Sequence, residues 1–239
     1  MEELKSNLQT LRLAGMASCL EALYETRKLQ DLSFIDGLEL LVQSEKDQRW
    51  SNRYARLVKN ANFRYMATLE QLSITKERGI NSSMITLLAT GNYIKNGESI
   101  LITGMAGTGK SHLSSSLGHQ ACKQGYTVAY YNVQKLMTLL KIARLDGSLL
   151  KLFEKLAKTD LLILDDFGLI AMDNNQQNDF MEIIEDRHAR KSTIIASQLP
   201  VSSWFDVFPN QATADAILDR ICHTSHRFAL VGESRRKKM

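Results

Sequence analysis

Two hydrophobic periods share this chain. Near its start Leu4, Leu8, Leu11, Leu20 and Leu23 recur at spacings of three and four, the period of amphipathic helices. The same texture predicts a helix from Phe34 to Val42 and a charged one from Ser44 to Asn62, continuous or separate. After about residue 98 the pattern changes. Short apolar runs now alternate with longer helical stretches: SILITG (99–104), TVAYYN (127–132), LLILDD (161–166), STIIAS (192–197) and RFALVG (227–232). Runs that are mostly apolar, rather than alternating, belong to strands covered on both faces, and the spacers are long enough for crossover helices. The chain therefore reads as a helical N-terminal region ahead of an α/β domain, with a parallel sheet of about five strands flanked by helices.

Composition changes that picture little. At 239 residues, 44% hydrophobic and 23% charged, the chain can bury a core without staples. Cys19, Cys122 and Cys222 are scattered and form no CxxC pair, which argues for a reducing compartment and against a zinc site. Acids at positions 2 and 3 argue against a signal peptide, and no apolar run reaches transmembrane length, so a cytoplasmic protein away from the membrane is expected. The net charge of +4 points only weakly to nucleic acid.

The chemistry begins at GMAGTGKS, where Gly104, Met105, Ala106, Gly107, Thr108, Gly109, Lys110 and Ser111 satisfy G-x-x-x-x-G-K-[ST]. Glycines let backbone N–H groups turn toward phosphate oxygens where a Cβ would block the approach. Lys110 brings positive charge to the β- and γ-phosphates, and the Ser111 hydroxyl suits magnesium. The helix that follows, opened by Lys110, Ser111 and His112, aims its positive end at the same phosphates. A chance match in a glycine-rich turn would lack this strand before it and amphipathic helix after it. The expected ligands are ATP and Mg²⁺.

A second element, LLILDDFG, ends an apolar strand in Asp165 and Asp166. Asp165 is assigned to the magnesium shell and Asp166 to orienting the attacking water. In STIIASQLP the strand tip carries Gln198, a candidate hydrogen-bond partner of the γ-phosphate or the water, or a simple turn residue. Arg220, in ADAILDR, is a candidate arginine finger toward a neighbouring subunit, and Arg236 a second positive contact within the same subunit. For either arginine a surface salt bridge is the plainer reading.

Charge is also segregated. Residues 1–70 hold ten bases and ten acids, yet Lys46–Arg64 carries Lys46, Arg49, Arg53, Arg56, Lys59 and Arg64 against the single acid Asp47. On one helix Lys46, Arg49, Arg53 and Arg56 share a stripe, with Trp50, Tyr54, Leu57, Val58 and Ala61 on the adjoining face, read as the packed one. Such a stripe suits the phosphates of a duplex, and with no base-reading signature little sequence preference is expected. An ordinary solvated helix face is the competing reading.

Together LRLAGMASCLEAL, NRYARLVKNANFRY, ILITGMAGTGKSHL, LLILDDFGL, SQLPVSSWFDVF, ADAILDRICHTSHR and GESRRKK make the chain resemble the IstB family of insertion-sequence ATP-binding proteins, relatives of the DnaC-type helicase loaders within the AAA+ ATPases. The resemblance runs nearly end to end. It implies a P-loop NTPase domain of AAA+ type over 71–239, without a separate C-terminal lid, behind a small all-α domain over 1–70 that serves DNA binding or assembly. It implies ATP hydrolysis, an ATP-bound homo-oligomer on double-stranded DNA, and stimulation of a partner transposase, and it supports the roles given to Lys110, Ser111, Asp165, Asp166, Gln198, Arg220 and Arg236. Gln198 stands where AAA+ proteins usually have asparagine, and Asp166 where most have glutamate. The alternative is a helicase loader acting on a replicative helicase and single-stranded DNA. A small-molecule kinase is disfavoured, because 133–160 offers only Arg144 where such enzymes carry an arginine-rich lid.

Overall fold

The computed structural model describes residues 1–72, 75 and 78–234, which form two compact units, Met1–Arg56 and Leu57–Met239. The first is helical. Helices α1 (Glu2–Thr10) and α2 (Ala14–Glu25) precede the long α3 (Phe34–Ala61), so the two helices expected across 34–62 are one. Buried Glu45 of α3 accepts hydrogen bonds from the Gly15 and Met16 N–H groups (2.7 and 3.2 Å) and from Arg49 Nε (2.7 Å). A carboxylate at the start of α2 satisfies N–H groups that the helix itself cannot. Beyond Arg56, in the second unit, α3 ends at Ala61, where Asn62 turns left-handed (φ 55°), a common way to stop a helix.

The second unit continues with α4 (Ser82–Ala89) and α5 (Asn92–Lys95). Then β1 (Ser99–Gly104), β2 (Val128–Asn132), β3 (Leu161–Phe167), β4 (Ser192–Ser197) and β5 (Ser225–Leu230) alternate with α6 (Lys110–Lys123), the pair α7 (Val133–Leu145) and α8 (Leu149–Lys158), α9 (Asn174–Arg187) and α10 (Gln211–Cys222). All five strands pair in parallel, in the order β2-β3-β4-β1-β5. The fifth strand starts two residues before the expected run and stops at Leu230. Val231 leaves the sheet to bond the Arg78 carbonyl (3.1 Å), and Gly232 (φ 118°) turns the chain.

Burial follows the strand alternation. Leu162 and Leu164 of β3 face a core with Leu136 and Leu140 of α7, Leu156 of α8, Phe180 and Ile183 of α9 and Ile217 of α10. Ile163 points the other way, to α6, so Asp165 shares that second face by parity. Strand β4 lies between β1 and β3. It brings its own tip between the phosphate loop that ends β1 and the carboxylates that end β3, at the strand ends where open α/β sheets place ligands.

Candidate nucleotide site

The loop after β1 is built by backbone that only glycine adopts readily: Gly104, Gly107 and Gly109 have φ of 148°, 84° and 102°. Space forbids side chains as well. A Cβ on Gly104 would lie 2.4 Å from the Leu230 carbonyl oxygen, and one on Gly107 would lie 2.1 Å from Ser234 Oγ. Lys110 opens α6, is buried, and donates from Nζ to the carbonyls of Gly104 (2.7 Å) and Met105 (3.0 Å), which places its charge inside the curve of the loop. Ala106, Gly107, Gly109, Lys110, Ser111 and His112 line a cavity of about 110 Å³ together with Tyr65, Asp166 and Gln198. Thr108 braces the loop instead, through its hydroxyl to the Met105 carbonyl (2.9 Å).

The end of β3 is irregular in a useful way. Its register with β4 slips between Leu164 and Phe167, and Asp166 sits at φ 59°, a left-handed conformation unusual for any residue but glycine. Asp165 is fully buried. It accepts a short hydrogen bond from the Tyr130 hydroxyl on Oδ2 and one from the Asp166 N–H on Oδ1 (3.0 Å). Asp166 turns into the cavity, where its Oδ2 accepts from Asn132 Nδ2 (2.9 Å) and Arg64 Nη1 (3.2 Å). The Arg64 guanidinium also lies 3.6 Å from Asp165 Oδ2. Two neighbouring carboxylates are tolerable because these donors and one cation surround them. Burial, and then the negative charge of Asp165, push the Tyr130 phenol well above its ordinary range, so it remains a donor.

A divalent cation fits these donors. Tyr130's hydroxyl is hydrogen-bonded to Asp165 and lies near enough to the Ser111 hydroxyl to feel it, which brings the two expected magnesium residues to one neighbourhood. Both offer oxygen, the ligand of a hard cation, and magnesium takes one or two carboxylates plus phosphate and water. Among the described residues no cluster of three or more His, Cys, Asp or Glu gathers, so the oxygens offered here are those of Asp165 and Ser111.

The other expected residues divide. Gln198, exposed at the tip of β4, is in the cavity. Arg220 is not. It pairs with Glu185, donates to the Ala216 carbonyl (2.9 Å), and shares a crevice with Ser99 and Thr193 at the beginnings of β1 and β4. Six-residue strands set that end about 20 Å from the phosphate loop, so Arg220 does not reach this chain's own cavity and is seen in a surface salt bridge. Arg236 and the 235–239 tail lie outside the described residues, although Ser234 rests against Gly107. On α3, Lys46, Arg49, Arg53, Arg56 and Lys59 are exposed, with Arg49 tied to Glu45. Arg64 departs from this stripe: it lies past the end of α3 and faces Asp165 and Asp166. The adjoining face is only partly packed, since Ala61 is buried while Trp50 is 52% exposed and stacks on Tyr54 one turn away (centroids 5.6 Å apart).

Sequence reasoning missed Tyr65, Tyr130, Asn132 and Arg78, whose Nη2 donates to the Thr108 carbonyl (2.9 Å). Asn132 had a signal, a polar residue closing an apolar strand at the ligand-bearing end of the sheet. The other three had none.

A family model described as IstB-like ATP binding protein matches residues 6–239. An insertion sequence ATP-binding protein, y4pL, of Sinorhizobium fredii is 39% identical over 230 residues, 96% of this chain and 94% of that protein. The ATP-binding protein of insertion sequence IS1162 from Pseudomonas fluorescens is 42% identical, covering 83% of this chain and 86% of its own. Among solved structures, that of the DnaC helicase loader superposes with a TM-score of 0.57 at 20% identity, covering 70% of this chain and 98% of the other. The fold is the AAA+ P-loop fold.

Proposed function

Because the chain belongs to the IstB-like ATP binding protein family, we propose that it is a DNA-binding AAA+ ATPase that assembles on duplex DNA with ATP bound and helps a partner transposase to select target sites. One observation carries the ATPase part: Lys110, Asp166 and Gln198, from three different strand ends, line one cavity. In this reading the loop amides and Lys110 bind the β- and γ-phosphates. Ser111 and Asp165 would hold magnesium, which would supply positive charge to the phosphoryl group in flight. Asp166 takes the proton of a water whose oxygen attacks the γ-phosphorus as ADP leaves, and Gln198 hydrogen-bonds the water or the γ-phosphate. Arg220 of a neighbouring copy supplies positive charge to the same phosphate.

The DNA part is supported by the exposed Lys46, Arg53 and Arg56 on α3, a row suited to phosphates rather than bases. The N-terminal helices, to about residue 70, carry DNA binding or assembly in this reading, and the remainder carries hydrolysis. The helicase-loader reading shares the same fold and is separated from this one by the nucleic acid used. Duplex binding by the purified protein, followed by electron microscopy with ATP, ADP or neither, tests both. Large ATP-dependent assemblies on random duplex are expected. Binding confined to single strands, or requiring a second protein, would replace the transposition reading with the loader one.

A further inference from the structure

We propose that Arg64 is the resident counter-ion of the Asp165–Asp166 pair, and that a divalent cation must displace its guanidinium to take those carboxylates. Arg64 then sets how readily the site accepts metal. The inference rests on the magnesium reading of Asp165 given above and adds a residue that works against it.

The geometry is specific. Arg64 Nη1 is 3.2 Å from Asp166 Oδ2 and 3.6 Å from Asp165 Oδ2. Each Asp165 oxygen already accepts one hydrogen bond, Oδ1 from the Asp166 N–H and Oδ2 from the Tyr130 hydroxyl, and Oδ2 is the one that faces the arginine, so it is the atom a cation would share with Arg64. A divalent cation taking that oxygen would share it with a like charge now 3.6 Å away, and like charges that close repel in a partly buried site. Both cannot hold the pair at once.

The backbone that carries Arg64 is clamped. The Phe63 ring stacks on His119 of α6 (centroids 4.2 Å apart, 28° between planes) and meets Tyr130 edge-on at 6.4 Å. It fits there because residue 118 is glycine: a Cβ would come within 2.4 Å of Phe63 Cε1. Further along the same segment, Ala67 is fully buried. The Arg64 side chain is nevertheless 42% exposed. Fixed flanks and an open side chain make a latch that swings at its side chain, with the Tyr65 ring (5.5 Å from the guanidinium carbon) beside its path. The exposure also limits the effect, because solvent weakens the pairing and lets a modest metal concentration win.

The test is Mn²⁺ binding to the nucleotide-free protein, read from the free-ion electron paramagnetic resonance signal. Arg64→Ala and Arg64→Gln are expected to bind Mn²⁺ about tenfold more tightly than the unaltered chain. Arg64→Lys, which keeps the charge, should return affinity toward the original value, a rescue that a merely structural role would not give. Asp165→Asn should lose the site. Unchanged or weaker binding in both neutral variants, with Asp165→Asn still defective, would overturn the role of Arg64 and leave the magnesium reading standing. Undiminished binding in Asp165→Asn would overturn both.

Discussion

The ligand end of the sheet and the basic face of α3 are both rich in charge, and they are organised in opposite ways. At the sheet, charge is fixed. Lys110 is buried against two loop carbonyls, Asp165 against Tyr130 and a backbone N–H, and Asp166 against Asn132 and Arg64. On α3, Lys46, Arg53 and Arg56 stand exposed on long side chains, and Arg49 is paired with Glu45 on its own helix. The difference matches two tasks. Stabilising a phosphoryl group in flight requires dipoles set in place beforehand, because reorganising them would consume the gain. Following a duplex of any sequence requires charges that adapt, each displacing a counter-ion.

The comparison can be broken most easily at Lys110. Lys110→Ala removes the one ammonium inside the loop and should lower ATP affinity by about 100-fold or more in a fluorescent-nucleotide titration; retained affinity would mean the loop does not cradle phosphate. Asp166→Asn should bind ATP normally and hydrolyse it about 100-fold more slowly, and near-normal single-turnover rates would move the water to another residue. On the other side, Arg53→Ala with Arg56→Ala should weaken binding to all duplexes alike and reduce the log–log salt slope by about 2. An unchanged slope would make that helix face merely solvated.

Two smaller effects sharpen the contrast. Asp166 is held left-handed, so Asp166→Gly should be more stable than Asp166→Ala by about 1 kcal/mol in urea denaturation, since only glycine relaxes there. Equal stabilities would show that the backbone moves to suit the residue. Least of all, Arg49→Ala should change the salt slope by clearly less than 1, and by less than Lys46→Ala, because Arg49 spends its charge on Glu45. An effect as large as that of Lys46 would mean DNA draws Arg49 away from that pair.

Thiol chemistry has little part in either region. Cys122 is buried and its thiol is pushed up to about 12, which keeps it protonated and inert. No helix among the described residues is long and apolar enough to cross a membrane.

What the sequence determined by itself was contiguous. The loop from Gly104 to Ser111, the strand before it and the helix after it lie in one stretch, and the need for glycine at left-handed backbone is written locally. The five strands were legible for the same reason, since a strand covered on both faces is apolar along its whole length. Asp165 and Asp166 were found by standing at a strand end. Their separate environments were not, because a register slip beside β4, the phenol of Tyr130 and the amide of Asn132 come from other strands. Only the tertiary structure put Arg220 at the far end of the sheet and Arg64 on the carboxylates. Read along the helix period, Arg64 was one more base in a basic run. Asn62 ends that helix, and Phe63 packs onto Gly118 and His119, so the next residue points at the Asp165–Asp166 pair, 102 positions from Asp166 in sequence.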